Sequence, residues 1–308
     1  MKILMLGAGA VGGYFGGRMA AAGSDITFLV RPGRAEQLRC GLQIESPLGD
    51  AVIPVKTLTT GEKPEAPFDV ILLSCKAYGL AGALDAIAPY VADGTPILPL
   101  LNGQAHLATC QSRFPKAVVW GGTAGIAATL TPEGIVRQMM PVQTITGGLL
   151  DGQSDPAGHL ETLISEMQRA GINAVLSDKI EQLMWDKWAF LATLAAANCL
   201  TRGSIAEIHA TDHGERLILD LYEECNRTAT AEGYPPNPAP VQDYHGTLTD
   251  TSLPMTASML RDMEGGGPTE ADHILGGMIG YAAKHGIDTP YLNAAYTALQ
   301  VYEAKRTG

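Results

Sequence analysis

The sequence predicts an α/β domain, a doubly wound parallel sheet, followed by an all-helical C-terminal domain. Three observations carry this. An apolar opening run, Lys2–Leu6, ends in Gly7, Gly9 and Gly12 at G-x-G-x-x-G spacing, with a helical pattern behind it. Near-continuous apolar runs then alternate with helical patterns, as they do where parallel strands are covered on both faces. From Lys179 to Arg202 there is neither Gly nor Pro, only one long pattern rich in Ala and Leu, and the texture stays helical beyond it.

Taken in order, Gly12–Ala22 reads as a small-residue helix closed by Gly23, and Asp25–Val30 as a second strand ending at Arg31-Pro32-Gly33. Phe68–Ser74 is a buried strand, followed by a helix around Ala81–Val91. Pro96–Leu101 is another strand, closed by Asn102-Gly103, and Ala117–Gly121 a short one. Gly134–Gly148 mixes Ile, Val and Thr with polar residues and reads as antiparallel strands finishing the same sheet; His159–Ala170 reads as a helix. After the long helix, further helices are expected over Glu215–Glu232, Ser258–Glu264, Thr269–His285 and Leu292–Lys305, interrupted by the Pro-rich turn Tyr234–Pro240. The boundary falls near 175–180, giving a dinucleotide-binding domain over 1–177 and a helical substrate and dimerisation domain over 178–308.

The glycine spacing has a chemical reading. Gly7 permits a tight strand-to-helix turn, Gly9 lets backbone approach a pyrophosphate, and Gly12 lets helix and strand pack closely. Amides at the helix start, over Ala10, Val11 and Gly12, then face the phosphates with the helix dipole behind them. The plainer alternative is a structural glycine turn. NAD-selective sites place an acid at the end of the second strand, whereas this chain carries Val30-Arg31-Pro32-Gly33-Arg34 there, with no acid before Glu36. Two guanidinium groups suit a 2′-phosphate, so NADP(H) is the expected cofactor, against a reading of Arg31 and Arg34 as solvated loop charges.

Composition excludes other classes. A formal net charge of −11 leaves no basic surplus for nucleic acid. The five cysteines are scattered and never in C-x-x-C spacing, which suits reduced thiols in a cytoplasmic protein. Glycines interrupt the apolar start, which therefore reads as strand and turn and not as a signal peptide. No run reaches the ~18–20 apolar residues of a membrane span. His209 and His213 have H-x-x-x-H spacing without a supporting carboxylate motif, so no metal is expected. The Ala- and Leu-rich helical half leaves room for a homodimer.

A nicotinamide site needs a group that polarises a carbonyl. Lys187 lies inside the most apolar helix of the chain, between Trp185, Trp188 and Phe190, and a lysine there either snorkels to the surface or is kept for function. Glu270 follows Gly265-Gly266-Gly267-Pro268-Thr269 at the start of a predicted helix, where the dipole alone favours an acid. Ser258 precedes Met259-Leu260, where a helix cap is an equally simple explanation. Asn102 closes a sheet strand at the end where such sheets bind ligands, and Lys76 occupies the comparable position one strand earlier.

Together these residues resemble the ketopantoate reductase family, whose nucleotide domain is of Rossmann type. The resemblance covers essentially the whole chain: the opening glycine motif, the Arg31 loop, L-L-S-C-K-A at Leu72–Ala77, L-L-N-G at Leu100–Gly103, W-D-K at Trp185–Lys187, S-M-L-R-D at Ser258–Asp262 and T-E-A-D at Thr269–Asp272. It implies NADPH-dependent reduction of a 2-keto acid to a 2-hydroxy acid, 2-dehydropantoate to (R)-pantoate being the namesake reaction. It also implies that Lys187 is the catalytic lysine, Glu270 the acid orienting it and the substrate, Ser258 a substrate-binding hydroxyl, and Asn102 and Lys76 the pair near cofactor and substrate.

One departure stands out. Pantoate-forming members carry asparagines one and two turns after the lysine, where this chain has Leu191 and Ala195. The next asparagine on that face is Asn198, a candidate substrate contact three turns on. Leaving a polar substrate group unpaired costs about 1–3 kcal/mol. The expected substrate is therefore 2-dehydropantoate or a different, less polar 2-keto acid or related carbonyl compound. Two other readings are a related two-domain dehydrogenase acting on another hydroxy acid or an imine, and a non-catalytic NADP-binding sensor.

Overall fold

Six parallel strands form the first sheet of the computed structural model, which describes residues 1–238 and 243–307. In chain order the strands are β1 (Lys2–Leu6), β2 (Asp25–Leu29), β3 (Leu42–Glu45), β4 (Ala51–Ile53), β5 (Lys56–Leu58), β6 (Val70–Leu73), β7 (Pro96–Pro99), β8 (Val118–Val119), β9 (Gly121–Leu130), β10 (Val136–Gly148) and β11 (Asn173–Leu176). The helices are α1 (Ala10–Ala21), α2 (Pro32–Gln37), α3 (Leu80–Ile87), α4 (Ala105–Arg113), α5 (His159–Arg169), α6 (Ile180–Thr201), α7 (Ile205–His209), α8 (Gly214–Ala231), α9 (Tyr244–Thr249), α10 (Ser258–Glu264), α11 (Gly277–Lys284) and α12 (Pro290–Thr307).

The first sheet runs β5-β2-β1-β6-β7-β8. Its central strands β6 and β7 are buried along their whole length, as their unbroken apolar runs require of strands covered on both faces. Strand order reverses beside β1, so the glycine loop after β1 sits at the switch point where open α/β sheets bind ligands.

The 134–148 region does not finish this sheet. It forms the spine of a second one, in which β10 pairs antiparallel with β9 and parallel with β3 and β11, while β4 extends β3. Helix α1 is pressed between the two sheets, and its glycines are the reason it fits. A Cβ on Gly16 would meet the Phe28 ring of β2 at 2.8 Å, and one on Gly17 would meet Leu42 of β3 at 2.8 Å. Gly13 is equally close to Val136 of β10.

By contacts the chain divides into two compact units, residues 1–101 with 106–180, and residues 102–105 with 181 onward. Each has its own core. The first gathers Met5, Phe15, Phe28, Leu72 and Trp120; the second gathers Trp188, Ala192 and Ala196 of α6 with Ile218 and Leu221 of α8, Leu275, Met278 and Leu299. The expected helix Thr269–His285 forms, its start wound as a π-turn, Asp272–Gly276, that runs directly into α11. His209 ends α7 and His213 precedes α8, so the two imidazoles do not share a helix face. Positions 239–240 of the Pro-rich turn lie outside the described residues. The five cysteines are free thiols, and among the described residues no helix is long and apolar enough to cross a membrane.

A methyl group at Gly12 would collide with the Ser74 side chain and sit 2.5 Å from the Gly7 carbonyl. Gly12→Ala is therefore expected to lower unfolding stability by about 1–3 kcal/mol, the usual cost of overpacking, measured by chemical denaturation. An unchanged midpoint would show that the loop and β6 do not pack as described.

Candidate active site

The glycine loop after β1 is built within the first unit. Gly7, at φ +88°, turns the chain off β1, and its N–H donates to the Leu29 carbonyl at 2.9 Å. Gly9 is the N-cap of α1 and offers no side chain, so the amides of Ala10, Val11 and Gly12 precede the first intrahelical bond, from Gly13 to Gly9, uncapped. A Cβ on Gly9 would meet nothing within 4 Å. Open space over a row of uncapped amides at a helix start is the environment a pyrophosphate requires.

Arg31 and Arg34 part company here. Arg34 donates from Nε and Nη2 to the Ala8 carbonyl, at 3.1 and 2.8 Å, and from Nη1 to the Gly134 carbonyl at 2.8 Å. Burial lowers its pKa. It braces the glycine loop and is not a loop charge awaiting a phosphate. Arg31, the N-cap of α2, is exposed, and no described residue pairs with its guanidinium. Lys76 follows β6 as the N-cap of a short 3₁₀ turn and is partly buried.

In the second unit, α6 organises the remaining candidates. Lys187 is half-buried among apolar neighbours, and burial pushes its ammonium from 10.5 down to about 8. Asp186 beside it accepts from Gln182 Nε2 at 2.9 Å and from the Asn237 N–H at 3.2 Å, and burial raises its carboxyl. Trp188, fully buried, donates from Nε1 to the Ile274 carbonyl at 3.0 Å. That bond ties α6 to the π-turn. Glu270 lies just ahead of the turn, buried, its own carbonyl accepting from the Ile274 N–H at 2.9 Å.

Asn198 does not serve as a free substrate contact. Fully buried, its Nδ2 donates to the Gly203 carbonyl and its Oδ1 accepts from the Ala257 N–H, each at 2.7 Å. Its amide is consumed by backbone, and it fixes the segment leading into Ser258. Ser258 itself is exposed at the start of α10 and caps nothing, because Ala257 occupies the N-cap position.

Asn102 belongs to the four-residue segment that clusters with the helical unit. Its carbonyl lies 2.8 Å from His273 Nε2. His273 was not legible as a site residue; its only signal is its place three residues after Glu270. Asn102, Glu270 and Lys187 are thus linked through one turn and one helix, while Gly7, Gly9, Ala10, Val11, Gly12, Arg31 and Lys76 lie in the other unit.

Comparison with known proteins agrees with this architecture. The family model described as ketopantoate reductase PanE/ApbA matches residues 3–151, and the model for its C-terminal part matches residues 179–303. The uncharacterized oxidoreductase YkpB of Bacillus subtilis is 34% identical over 99% of this chain and 100% of its own length. The structure of 2-dehydropantoate 2-reductase from Geobacter metallireducens is 26% identical with a TM-score of 0.86, covering 97% of this chain and 99% of that one. A D-mandelate dehydrogenase with NADH and anilino(oxo)acetate shares the fold at 22% identity and a TM-score of 0.85, over 100% of both chains.

Replacing Asn198 by Leu keeps its branched outline, with bulkier methyl groups, but leaves the Ala257 N–H and the Gly203 carbonyl without partners. Each orphaned buried group costs about 1–3 kcal/mol. Asn198→Leu should therefore lower the thermal midpoint clearly. A midpoint equal to that of the unaltered protein would release Asn198 from this structural role.

Proposed function

The chain belongs to the ketopantoate reductase family, oxidoreductases that act on CH–OH groups with a nicotinamide cofactor, and within it we propose that the protein uses NADPH to reduce a 2-keto acid less polar than 2-dehydropantoate. The observation that carries this reading is the face of α6 that begins at Lys187. It continues through Leu191, Leu194 and Ala195, and its one asparagine, Asn198, is occupied by backbone. Between Lys187 and Asn198 that face carries only hydrocarbon. The D-mandelate dehydrogenase of the same fold, solved with NADH and anilino(oxo)acetate, supports the reading.

The reduced nicotinamide, when bound, supplies the hydride. Every other task falls to the chain's own residues. As negative charge grows on the carbonyl oxygen, the Lys187 ammonium stabilises it and delivers the proton that completes the hydroxyl. A pKa of about 8 suits this, because the proton is then held at neutral pH yet given up readily. Glu270 orients the lysine and the substrate, Ser258 offers its hydroxyl to the substrate, and Asn102 and Lys76 hold the substrate's polar end and the cofactor. The uncapped amides of Ala10, Val11 and Gly12 bind the pyrophosphate, and Arg31 grips the 2′-phosphate.

The test is a panel of 2-keto acids, with aliphatic, branched and aryl side chains and including 2-dehydropantoate, followed by NADPH absorbance. Apolar members should give the higher kcat/KM; 2-dehydropantoate at the head of the panel would sink the assignment. With the best substrate, reduction should be fastest below the Lys187 pKa and fall about tenfold per pH unit above about 8, since deprotonation removes the donor. A profile flat through that range would take the role from Lys187.

Cofactor choice is tested separately. Losing a charge-assisted contact typically costs about 1.5–3 kcal/mol, so Arg31→Ala should weaken NADPH binding by roughly 10- to 100-fold and leave NADH nearly unchanged. Equal changes for both cofactors, measured by titration, would overturn the NADPH assignment.

A further inference from the structure

We infer that His273 is a positioning residue for Asn102, its imidazole holding the 102–105 segment in register with the turn that carries Glu270. The inference rests on the reading above in one respect, that Asn102 acts at the reacting end of the substrate.

The contact has a defined polarity. A backbone carbonyl can only accept, so the 2.8 Å approach of His273 Nε2 to the Asn102 oxygen requires the proton on Nε2. Burial supports the neutral ring by lowering the imidazole pKa, against the opposing effects of the Asn102 carbonyl and the Glu270 charge. The neighbouring residue is shaped to the same ring. Gly103 has φ +81°, a conformation other residues rarely adopt, and a Cβ there would sit 3.0 Å from His273 Nε2 and 3.1 Å from Cδ2. Loop and imidazole therefore meet through a hydrogen bond at Asn102 and a close backbone approach at Gly103.

The turn that presents the imidazole is itself fixed from two other directions. The Ile274 carbonyl accepts from the Trp188 indole at 3.0 Å, and Asp272 Oδ1 accepts from the Tyr296 hydroxyl at 2.7 Å. Within this π-turn, consecutive residues 272, 273 and 274 each make a tie to a different element, and such turns recur at functional sites. Trp188 follows Lys187 on α6, and Glu270 sits one turn before Ile274. His273 thus extends to Asn102 a frame that already fixes the lysine and the acid. Groups acting together on one carbonyl must be held to within about 0.5 Å of their productive geometry, which a four-residue segment cannot ensure by itself.

Three substitutions separate positioning from packing. His273→Gln retains a donor that can reach the carbonyl, His273→Met matches Gln in shape but donates nothing, and His273→Asn donates but is too short. Steady-state kinetics with the best keto acid and NADPH, together with thermal midpoints, should show kcat reduced about tenfold in the Met and Asn variants. His273→Gln should recover to within about threefold of the unaltered enzyme at a midpoint matching that of His273→Met. Unaltered kcat in His273→Met, or equal losses in the Gln and Met variants, would overturn the inference; if the Met variant does not fold, the Gln and Asn pair decides in the same way. Asn102→Ala is the reference. If it too turns over normally, the reading of Asn102 fails and takes the inference with it. If it is impaired while His273→Met is not, the positioning role alone fails.

Discussion

Burial of α6 is the constraint on which the helical unit depends. A 22-residue helix rich in Ala and Leu can be enclosed by other helices, but each polar group it carries inside must then find a partner or cost several kcal/mol. Thr193 returns its hydroxyl to the Ala189 carbonyl, within the helix. The Trp188 indole and the Asn198 amide find theirs outside it, on the backbones of Ile274, Gly203 and Ala257. Two of those backbones, at Ile274 and Ala257, belong to the segments that carry Glu270 and Ser258. The polar groups of one buried helix therefore position two candidate site residues, with no contact to a ligand required. Burial also acts on Lys187, whose charge is worked against by the apolar surroundings of the helix.

The first unit obeys a different constraint, one of distance. Helix α1 lies between two sheets, so its spacing from both is set by what its side chains leave free. Gly13, Gly16 and Gly17 face Val136, Phe28 and Leu42, residues of three strands in two sheets. Gly12 extends the stripe into the cofactor loop, where the neighbours are Ser74 and the Gly7 carbonyl. One run of small residues thus joins the fold's packing to the geometry of its anion-binding amides, and Arg34 locks the loop from the other side through the Ala8 carbonyl.

What was legible in the sequence follows from range. The strand, glycine turn and helix at the start, the apolar runs of β6 and β7, and the uninterrupted α6 are local patterns, and local patterns survive folding. The second sheet was less legible. β3, β4 and β11 are three or four residues long, too short for a period to declare itself, and β10 takes its two parallel partners from segments about 30 to 90 positions away. Side-chain roles divided on the same line. Gly7 and Gly12 do what their spacing requires. Arg34 and Asn198 carry the right chemistry for a ligand but are consumed by carbonyls and amides from Ala8, Gly134, Gly203 and Ala257, which nothing in the neighbouring sequence announces. The π winding at 272–276 lies within the helix that its own pattern predicts, and its ties to Trp188 and Tyr296 are again to distant residues.

The apolar face beyond Lys187 has a consequence for selectivity. A site lined with hydrogen-bonding groups rejects substrates that lack the matching hydroxyl by about 10⁴–10⁵, because its own buried groups are then left unpaired; a hydrocarbon wall rejects a substrate bearing an extra hydroxyl by only about 10². On the proposed reading, Leu191 and Ala195 in place of asparagine therefore do more than move a preference from polar to apolar. They remove the strong form of discrimination and keep the weak one. On the proposed reading, recognition then concentrates at the end all 2-keto acids share, the carboxylate and carbonyl within reach of Lys187, Glu270, Ser258 and Asn102. The side chain beyond is sorted by size and shape alone, with each methylene worth about 1–3 kcal/mol. Such an enzyme is exacting about the reaction and tolerant about the substrate's tail, and the precision it needs resides in the polar frame of α6, the π-turn and the 102–105 segment.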